Sequence, residues 1–303
     1  WEYGTRPASV SRDKPYHNPT WEFVKDFPML DGKRYDDPTG KYYVGDEQAL
    51  LKAFWKNRDP RFNRACLYNG REWPVAGRPA DNRMYNALGV SNADDQYGVN
   101  PNAGVNAANN DIFSGMYHYK VSDLSLTQDK VMTFDIDYIL MRFAEVMFIY
   151  AEAANENGHS DVAIDLLKQI RKRAGINETS SNPEMKGKVY GLNPNMNQTE
   201  MREAVREERF IELLFEQKRL WDMRRWMIYD KLMNGQGKRH ALVMNKQADN
   251  TYTTYLFDRD NTPMITNQNI YFLPMKRSEM SNNPNLEQTK GWENGTFDPQ
   301  AGL

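Results

Sequence analysis

Residues 206–226 read Arg206-Glu207-Glu208-Arg209-Phe210-Ile211-Glu212-Leu213-Leu214-Phe215-Glu216-Gln217-Lys218-Arg219-Leu220-Trp221-Asp222-Met223-Arg224-Arg225-Trp226. The apolar residues recur at helical spacing, so a helix is expected from near Thr199 to about Trp226, bent or broken on the way. Glu200 suits its first turn. A segment this apolar belongs inside a protein, and charges carried inside must be paired. The spacing offers Arg209 to Glu212 and Glu216 to Arg219 at i+3, and Lys218 to Asp222 at i+4. Such a lattice is catalytic in some proteins. Here acids and bases neutralise one another, which favours a structural role.

Upstream, Ile139, Phe143, Val146, Tyr150 and Ala153 form one helical row, and Leu140, Met147, Ala151 and Ala154 the next. The polar strip is Arg142, Glu145, Glu152 and Glu156. Asn157-Gly158 ends this helix, and Ser160 caps a second that runs through Ala163, Leu166, Leu167 and Ile170 to Ala174. The pair makes a helical hairpin over 138–174, the size of a tetratricopeptide repeat. A single hairpin cannot bury both faces. Residues 1–45 are irregular, rich in Pro and Gly. Asp46 caps a short helix through Trp55, which stops before Asn57-Arg58-Asp59-Pro60-Arg61-Phe62 because Pro60 disfavours helix at Asp59. Residues 69–130 are Gly- and Asn-rich and are expected to form short strands and surface loops. Short strands are expected at 131–136, 252–257 and 270–273. The fold class is therefore mainly α with long loops and a few short strands. Residues 1–130 form a loop-rich part and 131–303 a helical one.

The chain has 303 residues, 40% apolar and 26% charged, enough to build a core. No apolar run approaches the roughly 18 residues that span a bilayer. Net charge is −2, with no basic excess to hold nucleic acid. The single cysteine, Cys66, excludes an internal disulfide. The chain opens on Trp1 with no signal-peptide pattern, and so reads as a processed or truncated piece. Aromatics reach 12%, and Asn clusters at 100–110 and 193–197. Flat rings beside amides suit sugars, although turn-rich loops account for the same composition.

His17, His118, His159 and His240 show no metal-site spacing, and no phosphate-binding or nucleophile-elbow motif occurs. Cys66 reads as a buried small residue. Asp135 with Asp137, and Asp94 with Asp95, are the carboxylate pairs that a glycoside hydrolase would need, and in a strand Asp135 and Asp137 would share a face. No metal or other cofactor is expected.

Several blocks then fall into a recognisable order. Phe27-Pro28-Met29 with Asp31-Gly32-Lys33 precedes Asn57-Arg58-Asp59-Pro60-Arg61-Phe62. Arg142-Phe143-Ala144-Glu145-Val146 leads into Tyr150-Ala151-Glu152-Ala153, and Ile170-Arg171-Lys172-Arg173-Ala174-Gly175 follows. Glu208-Arg209-Phe210-Ile211-Glu212, Phe215-Glu216 and Arg219-Leu220-Trp221-Asp222-Met223-Arg224-Arg225 come next. Tyr271-Phe272-Leu273-Pro274-Met275 and Asn283-Pro284-Asn285-Leu286-Glu287-Gln288 close the series. In number and order these blocks resemble the SusD/RagB family of outer-membrane nutrient-binding lipoproteins, over about 27–292.

The resemblance implies the C-terminal part of a longer protein. The family's N-terminal half would bring further tetratricopeptide-like helices to stack on the hairpin, and a lipidated cysteine as the only membrane anchor. It implies a non-catalytic binder at the cell surface that hands a glycan, oligosaccharide or peptide to a TonB-dependent outer-membrane channel. It assigns no ligand contact, since the shared blocks mark the fold. The candidates come from side-chain chemistry: Trp21, Trp73, Tyr85 and Tyr97 as exposed stacking rings, with Asp81, Asn82 and Asn86 as hydrogen-bond partners. A hydrolase using an Asp pair is the alternative from another class. A helical scaffold that docks only proteins is a third, disfavoured by the aromatic-rich loops.

Overall fold

Glu208 and Glu212 lie one turn apart on the buried face of a helix, and the elements around that helix are arranged to reach them. The computed structural model describes residues 5–6, 18–76, 83–84, 114–135, 137, 139–177, 189–235, 237–260 and 262–301. Contacts divide the chain into two units, Trp1–Phe215 with His240–Arg259, and Glu216–Arg239 with Asp260–Leu303.

The first unit holds helices α1 (Trp21–Lys25), α2 (Glu47–Ala53), α3 (Pro60–Ala65), α4 (Phe143–Glu156), α5 (Ser160–Ala174) and α6 (Gln198–Glu212). Strand β1 (Cys66–Tyr68) pairs antiparallel with β2 (Met116–His118). The signals at Asp46 and Gly175 operate as expected, but Ser160 does not cap α5: it is the first helical residue and donates its hydroxyl to Asn155, while His159 holds the cap position with no side-chain bond. Asp46 accepts the Ala49 N–H at 2.8 Å, and Gly175 ends α5 in the left-handed region at φ 85°. Asn197 and Glu200 form a reciprocal capping box at the start of α6. Pro60 opens α3 with Asp59 as its cap.

One apolar cluster joins α1, α2, α3 and β1 through Trp21, Phe27, Phe54 and Phe62. A second joins α4, α5 and α6 through Phe148, Leu167, Ile170, Met201 and Val205. Between them runs a chain of ions built on the buried carboxylates Glu208 and Glu212, with Arg173 reaching it from the surface. Glu208 takes Arg171 Nε at 2.6 Å and an Arg61 nitrogen at 2.7 Å. Asp59 holds the same Arg61 guanidinium at 2.7 Å. Glu212 meets Arg61 at 3.1 Å, Arg142 at 2.9 Å and Arg173 at 2.5 Å. Arg209 reaches Glu145 of α4 at 3.3 Å. The expected pairing of these charges is therefore met by partners on other elements. Arg171 also donates to the carbonyls of Gly32 and Tyr190. Gly32 lies at φ 78°, and a Cβ there would strike the Tyr190 carbonyl, so only glycine fits this approach. Arg58 donates to the carbonyls of Phe54, Val24 and Phe27, and its burial brings its pKa down to about 10.

The long helix is broken, as expected: it ends at Glu212, Phe215 and Gln217 adopt left-handed backbone at φ 65° and 61°, and helix resumes over Arg219–Arg225. Lys120 and Arg142 donate to the Glu212 carbonyl left over at that break, at 2.6 and 2.8 Å. Three expectations are corrected. The described part of 131–136 turns instead of extending, since Val131 and Phe134 bond back to Thr127 and Lys130. The stretch 270–273 begins as a 3-10 turn, Gln268–Tyr271. The row Ile139, Phe143, Val146, Tyr150, expected to face the core, faces outward, with Phe143 75% and Tyr150 56% exposed. Ala144, Phe148, Ala151 and Ala154 are buried in its place. Glu145 must meet Arg209, and small alanines let α4 approach its neighbours closely, so α4 is rotated relative to the apolar count. The outward row is the face that a lone hairpin leaves uncovered.

The pairing of β4 (Tyr252–Asp258) was expected as a strand only. It lies antiparallel on β3 (His240–Lys246), which sequence reading missed, with Leu242 opposite Leu256. His240 Nδ1 contacts Glu22 at 2.6 Å and so ties β3 to α1. The second unit holds α7 (Arg219–Arg225), α8 (Tyr229–Gly235) and α9 (Arg277–Asn282). Arg224 donates to the Tyr271 carbonyl, and Asp230 takes the Tyr271 hydroxyl.

Burial works against the Glu208 charge, but Arg171 and Arg61 outweigh it and hold the carboxyl below the usual range. A depressed carboxyl contributes stability above its unfolded pKa and loses it as pH falls through the folded one. Glu208→Gln is expected to cost about 3–5 kcal/mol at neutral pH. Urea unfolding should also show a shallower loss of stability below about pH 4 than in the wild type. A cost below about 1 kcal/mol would contradict the burial of this pair.

Candidate functional site

A side chain offers a ring face to a ligand only if the fold leaves that face in solvent. Trp21 and Trp73 are each 0% exposed, which corrects the expectation that they are stacking platforms. Trp21 lies in the first cluster, stacked on Phe54 at 5.9 Å, with its indole N–H given to Glu47. Trp73 fills a small cluster with Leu67, Met84 and Tyr117, where a large ring closes the space over β1 and β2. Asp81, Asn82, Tyr85, Asn86 and Tyr97 lie outside the described residues, as do Asp94 and Asp95. Asp135 and Asp137 are exposed and belong to no strand, so the shared strand face proposed for them is absent. Cys66 is buried, as expected, and burial pushes its thiol up to about 12.

An exposed ring that sequence reading passed over is Trp55. The end of α2 explains it. Phe54 leaves the helix at φ 7°, Lys56 N–H closes a turn on the Ala53 carbonyl, and Asn57 is left-handed at φ 56°. This turn sends Phe54 into the core and Trp55 outward, 39% exposed. Trp55 lies parallel to Tyr68 at 5.9 Å and 11°. Tyr68 in turn lies parallel to buried Phe62 at 5.3 Å and 13°. The three rings make a stack rooted in the core and ending at the surface. The Tyr68 hydroxyl donates to Asn63 Oδ1 at 2.7 Å, and burial brings its pKa up to about 12. An aromatic fixed in this way loses little freedom when a ligand settles on it. Trp55 follows directly on an apolar run, which made it read as the last turn of a helix; its outward turn depends on backbone angles that no spacing rule supplies.

The second unit carries a groove of about 750 Å³ whose lining includes Met275, Met280, Leu286 and Trp292. Gln288 also lines it, accepting the Met275 N–H at 2.8 Å and donating to the Met275 carbonyl at 3.1 Å. The Trp292 indole is fixed by the Phe272 carbonyl at 2.8 Å. The rim charges Arg277 and Glu293 meet one another at 3.2 Å.

The model of the SusD family matches residues 9–292. This chain belongs to the SusD family. A curated relative, the SusD-like protein P2 of Formosa agariphila, is 30% identical over 149 residues, which is 49% of this chain and 26% of that protein. A SusD-like protein of Bacteroides fragilis NCTC 9343 superimposes with TM-score 0.61 at 20% identity, over 93% of this chain and 48% of its own. Another structure from that strain, described as a SusD-like carbohydrate-binding protein, gives TM-score 0.52 at 20% identity, over 89% and 48%. A SusD superfamily protein of Bacteroides vulgatus ATCC 8482 gives 0.54 at 17%, over 96% and 47%. The chain thus spans about half the length of these solved relatives. The SusD-like fold anticipated from the ordered blocks is the fold observed.

Trp21→Ala and Trp73→Ala, as core truncations, should each lower stability by about 3–5 kcal/mol. Trp55→Ala should cost about 1.5 kcal/mol or less, the worth of a surface stack. Urea denaturation of the three variants checks the division; equal losses would contradict it.

Proposed function

We propose that this chain belongs to a cell-surface protein of the outer membrane that binds a nutrient without chemical conversion. The ligand is a glycan or oligosaccharide, passed on to a TonB-dependent outer-membrane channel. The observation that carries this reading is family membership along nearly the whole chain, together with a B. fragilis relative described as carbohydrate-binding. Support from the molecule itself comes from the Trp55 stack, a rigid surface ring of the kind that receives the C–H face of a sugar. Asp135 and Asp137 are exposed to solvent, an environment that does not separate the roles of two carboxyls as glycoside hydrolysis requires. No helix among the described residues is long and apolar enough to cross a membrane. Membrane association would run through a lipid anchor elsewhere in the protein.

Affinity electrophoresis against a panel of polysaccharides tests the reading. Retarded migration on at least one glycan, with no release of reducing sugar on long incubation, is the expected result. Glycan cleavage would replace it with the hydrolase alternative. Binding of oligopeptides with no glycan retained would change the ligand class.

A further inference from the structure

From Lys52 to Arg71 the chain carries six basic residues, Lys52, Lys56, Arg58, Arg61, Arg64 and Arg71, against one acid, Asp59. The protein as a whole has net charge −2, so this excess is local. Two of the six are absorbed by the interior: Arg58 caps buried carbonyls and Arg61 joins the ion chain. Arg64 lies over the Tyr119 ring at 5.5 Å. Lys52 and Lys56 are exposed, and their ammonium groups meet no partner among the described residues. Elsewhere on this unit, Lys25 pairs with Glu47 at 3.7 Å and Lys33 with Asp37 at 3.4 Å.

Two of the free cations are close neighbours of the exposed ring in the chain. Lys56 is next to Trp55 in the chain and Lys52 lies three residues before it. Arg71 donates to the Asn63 carbonyl at a long 3.4 Å, while the Asn63 side chain receives the Tyr68 hydroxyl. One residue therefore separates the Arg71 guanidinium from the ring stack. The Trp55 indole N–H has no acceptor among the described residues and is open to a sugar hydroxyl.

We propose that the Trp55 platform takes a polysaccharide bearing acidic groups, carboxylate or sulfate. The ring carries one sugar face, and Lys52, Lys56 and Arg71 meet the anions beside it. This rests on the glycan reading above and names its ligand chemistry. A neutral sugar would use the ring and leave the cations idle. An anionic one engages both, and its hold weakens as salt screens exposed charge.

The test is affinity electrophoresis in gels containing polygalacturonate, chondroitin sulfate or the neutral polymer dextran, at 20 mM and 500 mM salt. The expected result is retention on one or both acidic polymers, at least about tenfold stronger than on dextran, falling at high salt. Trp55→Ala and the double variant Lys52→Gln, Lys56→Gln should each lower retention about fivefold or more, the double variant with the wild-type unfolding midpoint and Trp55→Ala still folded at the assay temperature. Lys172→Gln, an exposed charge on α5, should change nothing. Retention on polygalacturonate alone assigns carboxylate, and on chondroitin sulfate, whose response persists when its carboxyls are esterified, assigns sulfate. Equal retention on dextran, or acidic retention untouched by both sets of changes, overturns the assignment of this site and leaves glycan binding standing. A protein that holds no polysaccharide on the wider panel overturns both.

Discussion

Two carboxylates on one helix, Glu208 and Glu212, draw four arginines from three other places in the chain. Arg61 comes from α3, Arg142 from the residue before α4, and Arg171 and Arg173 from the end of α5. Ions removed from water are costly, and the attraction repays that cost only when geometry and further hydrogen bonds are good. Here Arg171 also serves two carbonyls and Arg61 is held by three carboxylates, so each desolvated charge is met. Such a lattice favours one arrangement of its elements, because a shifted helix would strand an ion inside the protein.

That constraint reaches the surface. Arg61 fixes α3, and α3 runs without a loop into β1, which carries Tyr68. Phe62, adjacent to Arg61, supports the Tyr68 ring, and Tyr68 supports Trp55. A buried charge thus sets the position of an exposed ring three links away. The same lattice turns α4: Glu145 points to Arg209, and the larger apolar residues Phe143 and Tyr150 are carried outward.

Much of this could be read from the chain. The helix start at Asp46 was legible, where a side-chain oxygen beside a free N–H is a local signal, as were Glu200 in the first turn of α6 and the end at Gly175; the Asn197 cap was not read. The necessity of pairing inside 206–226 followed from burial alone. The identity of the partners did not, since Arg61 and Glu208 are 147 positions apart. The rotation of α4 was illegible for a related reason: counting apolar residues favours the row with the largest side chains, and the fold chose the row with alanines and one paired glutamate. β3 escaped notice because four consecutive buried residues, Ala241–Met244, show no alternation. Of the site, Trp21 and Trp73 were selected for ring chemistry, which says nothing of exposure. Trp55 became visible only once the backbone turn after α2 was known.

The claim on which the rest depends is that the α6 carboxylates and their arginines act as one buried unit. A double-mutant cycle with Arg61→Ala, Glu208→Ala and the pair, read by urea unfolding at neutral pH, measures it directly. A coupling of about 2 kcal/mol or more is expected. Additive losses, with a coupling below about 0.5 kcal/mol, would show that the two charges do not hold the elements together and would contradict it.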